Sequence, residues 1–165
     1  MNLIVRPGAC AEWNGRRLRC AIGRAGVSLD KREGDGATPA GIFPFREVLF
    51  RADRVAPPAT ALRSRPLSPD DGWCDDPAHP DYNRPMTLPF AAGHERLMRE
   101  DGLYDVIVVL GHNDAPVVPG RGSAIFLHVA APGFTPTEGC VALTLDALLG
   151  VLAESRPGDG VAVSV

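Results

Sequence analysis

The stretch Ile125-Phe126-Leu127-His128-Val129-Ala130-Ala131-Pro132-Gly133-Phe134-Thr135-Pro136-Thr137-Glu138-Gly139-Cys140-Val141-Ala142-Leu143 decides how this chain is read. An apolar run, Ile125 to Val129, has the composition of a buried strand and carries His128. Twelve positions later Cys140 follows directly after Gly139. That order suits a thiol nucleophile with its proton acceptor, the histidine on a strand and the cysteine on a turn that exposes sulfur and backbone N–H together. A neighbouring imidazole favours the reactive thiolate. Gly139 lets the backbone come close to a substrate carbonyl, so that nearby N–H groups hold a developing oxyanion. A structural alternative fits the spacing equally well: a buried strand histidine and an inert, packed thiol.

Around this stretch, the chain of 165 residues has the length of one domain, 1–165, with a substantial core. Hydrophobic residues make up 45% and charged residues 22%, as in ordinary soluble domains. A net charge of −3 gives no electrostatic reason to expect nucleic acid or an anionic membrane surface as partner. Eighteen glycines and sixteen prolines imply many turns and favour a β-rich fold over a helical bundle. The apolar run near the N-terminus, Leu3-Ile4-Val5, is too short for a secretory leader, and no stretch is long enough to span a membrane. As written, the chain reads as cytoplasmic.

Leu3 to Val5 reads as a first strand, followed by a hairpin about Asn14-Gly15. A two-residue loop there pairs Trp13 with Arg16, sets Cys10 opposite Arg19 and Cys20 opposite Ala9, and sends the two thiols to opposite faces. Reduced cysteines are therefore expected. A strand is expected near Ile42 to Phe50, then a loop-rich insertion over about 51–89 that covers something with Trp73 and Tyr82. His94 to Arg99 reads as a short helix, Val106 to Leu110 as a strand buried on both faces, and Gly158-Asp159-Gly160 as a turn into a closing strand, Val161 to Val165. Thr144 is the expected N-cap of a helix to about Glu154, with Leu145, Leu148, Leu149 and Leu152 on one face.

Three elements in this order resemble the L,D-transpeptidase catalytic-domain family. Thr38-Pro39-Ala40-Gly41-Ile42-Phe43 looks like its TPxGxF element, His128 like its strand histidine, and Thr137-Glu138-Gly139-Cys140-Val141 like its [ST]xGC turn. The resemblance implies a mainly β, sandwich-like domain with one or two short helices. It implies that Cys140 attacks a carbonyl of a peptidoglycan stem peptide, or a related peptide containing D-amino acids, and releases a terminal D-amino acid. The acyl group then passes to an amine or to water, and no metal or organic cofactor takes part. His128 would accept the thiol proton, held by a backbone carbonyl or a nearby side chain, and the N–H groups of Gly139 and Cys140 would form part of the oxyanion hole. Such a substrate lies in the periplasm or cell envelope. Where the family commonly carries an arginine two residues after the cysteine, this chain has Ala142.

Residues with chemistry suited to the substrate are Thr137 in the nucleophile turn, Arg121 and Arg84 as replacements for the missing arginine, His112 after the Val106 to Leu110 strand, and Trp73 and Tyr82 as a peptide-packing wall. Each has a plainer structural use, the aromatics as anchors of the insertion and His112-Asn113-Asp114 as turn chemistry. Two other functional classes fit parts of the pattern. One is a peptidoglycan-binding domain of the same fold without turnover. The other is a zinc-binding module drawing on Cys74, His79, His112, His128 and Cys140. The oligomeric state is not written in the sequence.

Overall fold

A computed structural model describes residues 1–165. In chain order the strands are β1 (Asn2–Arg6), β2 (Cys10–Trp13), β3 (Arg16–Ala21), β4 (Val27–Ser28), β5 (Thr38–Pro39), β6 (Gly41–Phe50), β7 (Ser64–Pro66), β8 (Asp71–Cys74), β9 (Pro85–Thr87), β10 (His94–Arg96), β11 (Val106–Leu110), β12 (Phe126–Val129), β13 (Val141–Leu143) and β14 (Gly160–Val163). The helix α1 (Leu145–Glu154) lies between the last two. No helix is long and apolar enough to cross a membrane.

The β-rich expectation holds, but the sheet is a closed barrel rather than a sandwich. Its order is β11-β12-β13-β3-β2-β1-β14-β6, and β6 returns to pair with β11. The cause is the length of β6. Its first half, Gly41 to Pro44, pairs with β14, and its second half, Phe45 to Phe50, pairs with β11 across an irregularity at Val109/Leu110. A bulge of this kind bends the strand and increases its twist, which lets one strand serve both ends of the sheet.

Alternation then sorts each strand into two faces. On β11, Val106, Val108 and Leu110 join the main core with Leu127, Val141, Leu143 and the α1 residues Leu148, Val151 and Leu152. Ile107 and Val109 face the other way, into a second cluster with Phe126 and Cys140. All five β11 residues are buried, as the unbroken apolar run predicts. The Thr144 hydroxyl caps α1 by accepting the Ala147 N–H at 3.3 Å. Val151 takes a buried place on the α1 face where Leu145 and Leu149 are only half-buried.

The hairpin register is the predicted one: Trp13 faces Arg16, Cys10 faces Arg19, and the Cys20 N–H donates to the Ala9 carbonyl at 3.1 Å. All four cysteines are free.

The loop-rich insertion also carries short strands, because β8 pairs with both β9 and β10 in a small antiparallel sheet, and one local expectation is corrected. The segment His94 to Arg99 begins as strand β10 instead of a helix. Six residues are too few to nucleate a helix against a partner strand that offers Cys74, Trp73 and Gly72 directly. Trp73 of this small sheet, with Leu67, Leu97 and Tyr104 from the segments around it, packs into one cluster with Leu49 of β6, Ile107 and Val109 of β11 and Phe126 of β12.

Candidate active site

His128 on β12 and Cys140, just before β13, belong to neighbouring parallel strands in which His128 pairs with Ala142. Leu127, Val141 and Leu143 turn into the barrel, so His128, Cys140 and Ala142 take the outer face. There both residues line one cavity of about 470 Å³, together with Lys31, Glu95, Tyr104 and Thr137.

The turn that carries the cysteine is held by two threonines. The Thr137 hydroxyl accepts the Gly139 N–H at 3.1 Å and donates to the Cys140 carbonyl at 2.6 Å. Thr38, of the TPxGxF-like element, is 1% exposed; its hydroxyl accepts the Gly23 N–H at 2.8 Å and reaches the same carbonyl at 3.4 Å. Gly139 is required here. At φ 139° it brings the turn against the 36–38 segment, and a Cβ would sit 2.9 Å from the Ala37 carbonyl oxygen. Replacing Thr38 with valine strands a buried N–H and slackens the turn. We expect it to lower stability by about 1–3 kcal/mol in urea unfolding.

The thiol donates to the Ala124 carbonyl at 3.3 Å and accepts the Phe126 N–H at 3.4 Å. Ala124 adopts the left-handed conformation, φ 52°, which is uncommon for a residue with a side chain. No hydrogen bond joins the thiol to His128. The His128 Nδ1 is 2.8 Å from the Val129 carbonyl, an acceptor, so this nitrogen carries the proton and Nε2 keeps its lone pair. Burial pushes the Cys140 thiol up to about 12, Glu95 adding to it, and pulls the His128 imidazole down to about 4. Both groups are therefore neutral at pH 7, so the thiolate anticipated beside the imidazole is not the resting form.

The buried neutral histidine also ties stability to pH. Between about 6.5, its ordinary value, and about 4 the unfolded chain binds the proton that the folded chain refuses. Stability falls as the pH drops through that window, by up to about 3 kcal/mol from this group. Urea unfolding of wild type and His128→Gln at pH 7 and pH 4.5 checks this: the acid loss should be smaller in the variant.

The other sequence candidates divide. Thr137 lines the cavity, and the remaining five do not. Trp73 is buried, donates its indole N–H to the Asn83 side chain at 2.9 Å and packs edge-on to Phe126 at 5.2 Å. Tyr82 is 1% exposed and donates its hydroxyl to Glu33. Arg84 and His112 line a separate cavity of about 320 Å³. Arg121 pairs with Asp30 at 2.7 Å on the surface. Ala142 is fully buried between His128 and Ala21, so an arginine has no room there. The cations that line the cleft are Lys31 and Arg99. Lys31 pairs with Asp35, and Arg99 with Asp101 at 2.5 Å. The five side chains of the zinc alternative form no ligand set: nowhere do three His, Cys, Asp or Glu groups converge to hold a metal.

Tyr104 and Glu95 also line the cleft and had no functional reading in the sequence. Tyr104 precedes the apolar β11 run, where a polar-tipped aromatic is a weak signal. Glu95 gives none, because its burial depends on β10 pairing with β8.

A closed β sheet with a cysteine and a histidine lining one cavity on its outer face is the frame in which the comparisons with known proteins fall. Residues 9–163 match the family model described as YkuD, L,D-transpeptidase catalytic domain. The chain belongs to that family, whose members are transferases of cell-wall peptidoglycan. Neither the comparison with curated proteins nor that with solved structures gave a match.

Proposed function

We propose that this protein is a cysteine acyltransferase acting on peptidoglycan stem peptides or related peptides with D-amino acids. The observation that carries the reading is that Cys140 and His128 line one cleft from adjacent strands. Cys140 is the nucleophile. When a peptide carbonyl enters, Sγ turns from the Ala124 carbonyl toward His128 Nε2, which takes the thiol proton as the C–S bond forms. The Cys140 N–H, which has no acceptor within the protein, meets the oxyanion. The Gly139 N–H is held by Thr137 and reaches the oxyanion only by sharing that donor.

The imidazolium then protonates the departing amine of the terminal D-amino acid, leaving a thioester on Cys140. An amine or water, deprotonated by His128, attacks the thioester and frees the thiol. The two acceptors correspond to transpeptidase and L,D-carboxypeptidase action. No metal or organic cofactor enters these steps.

The thiol's hydrogen bonds to Ala124 and Phe126, and its burial, favour a second reading: a peptidoglycan-binding domain that keeps the fold without turnover. Incubation with a stem tetrapeptide, with and without an amine acceptor, separates the two. Catalysis predicts release of the terminal D-amino acid, with cross-linked peptide or tripeptide as the second product. Saturable binding with no released amino acid would overturn it in favour of the binding domain.

A further inference from the structure

Beneath the cleft lies a polar pair that the proposed reaction does not use. Tyr104 is 5% exposed, and its hydroxyl donates to the half-buried carboxyl of Glu95. The Tyr104 ring stands nearly perpendicular to the His128 ring, centroids 5.3 Å apart and planes at 73°. Phe126 packs against the same ring at 5.9 Å, and the Arg99 guanidinium covers it at 5.0 Å. The tyrosine thus occupies one rigid position, fixed at its tip by Glu95 and on its sides by Phe126 and Arg99. His128, in contrast, is held by polar groups only at backbone carbonyls, with Nδ1 2.8 Å from that of Val129. Backbone acceptors hold a nitrogen at the ring's edge, and the Tyr104 edge contact restrains the plane of the ring itself.

Building on the acyl-transfer reading, we propose that Tyr104 and Glu95 are a positioning pair for His128: the Glu95 carboxyl anchors the Tyr104 hydroxyl, and the Tyr104 ring holds the imidazole in the orientation that receives the Cys140 proton. Both residues border the cleft, and the positioning role assigned to them is exerted through His128. The charged and titratable groups around it are Arg99, 3.7 Å from Glu95, with Asp101 behind it, Asp75 and Glu33 across the cleft, Lys31 at its rim, and Cys140 itself. Burial, more than these neighbours, raises the Glu95 carboxyl from its ordinary range. Either protonation state keeps an oxygen that accepts from Tyr104.

The test uses the full chain and the rate of Cys140 acylation by a β-lactam, followed by intact mass from pH 5 to 10. Tyr104→Phe removes one oxygen and should slow acylation at neutral pH by about 10–100-fold, the scale of loss when a supporting partner of a functional group is removed. Glu95→Ala should match it, Glu95→Gln should restore most of the rate because an acceptor remains, and the Tyr104→Phe/Glu95→Ala double variant should be no slower than either alone. In a His128→Ala background neither change should slow acylation further. Losses that persist in that background, or that add in the double variant, would overturn the proposal in favour of general structural damage. A second readout is independent of acylation: ¹⁵N spectra of the His128 ring should show one Nδ1–H tautomer in wild type and a mixture in Tyr104→Phe. Identical ring spectra would overturn the pair's role. A wild type that takes no acyl group would instead refute the acyl-transfer reading, with the ring spectra still deciding the pair.

Discussion

Cys140→Ala should eliminate covalent acylation and reduce turnover of a stem tetrapeptide by about 10⁴-fold or more, the scale of loss when a covalent nucleophile is deleted. No other thiol stands ready to replace it. Cys20 is fully buried and its thiol is pushed up to about 11, mainly by burial. Cys74 is fully buried, and its thiol is also raised by burial. Cys10 is half-buried on the hairpin, outside the residues that line the cleft. Alanine at 140 keeps the backbone N–H and removes only sulfur, so the fold should persist and the loss should be chemical. Unfolding curves that overlay wild type, together with absent turnover, are the expected pair of results. Activity retained in this variant would refute the mechanism.

The second large effect is expected at His128. His128→Ala should lower the acylation rate by about 10²–10⁴ at pH 7, the usual contribution of a positioned general base. The pH dependence separates a base from a packing residue. In wild type the imidazole, lowered to about 4, is in its basic form throughout the neutral range, so the rate should be flat there and fall only as the pH drops toward 4. In the variant the thiol must ionise unaided, and burial has pushed it up to about 12. Recovery should therefore begin only in strongly alkaline solution, well above the value of about 8.5 at which a free thiol would respond. Stopped-flow acylation across the pH range reads both limbs. A uniform loss at every pH would point to a structural role for His128.

Much of this was legible in the residues, for physical reasons that differ by element. The Asn14-Gly15 turn set its own register, and the register separated Cys10 from Cys20. Thr144 marked the start of α1, because a hydroxyl at that position satisfies a free helix N–H. The doubly buried β11 followed from its unbroken apolar run. The closure of the sheet did not, since it depends on β6 bending to reach β11 and β14 at once, a long-range event without a local signature. The insertion hid its strands for a similar reason: β8, β9 and β10 are short, and pairing rather than propensity makes them strands.

At the site, His128, Gly139, Cys140 and Thr137 could be named from the turn sequence because they are close along the chain. Trp73, Tyr82, Arg84, Arg121 and His112 were chosen for chemistry alone, and chemistry does not say which wall of the barrel a loop residue faces. Glu95 reaches the cleft from β10 and Tyr104 from the segment before β11, so only the folded chain brings them to His128.

The claim on which the account rests is that Cys140 carries the acyl group. Peptide mapping by mass spectrometry, after rapid quenching of the protein with a stem tetrapeptide, tests it most directly. The account predicts a tripeptide acyl adduct on the peptide containing Thr137 to Leu143, attached through the Cys140 sulfur, while the terminal D-amino acid appears in solution. Release of that amino acid with the adduct on another residue, or with unmodified Cys140 at every quench time, would contradict it.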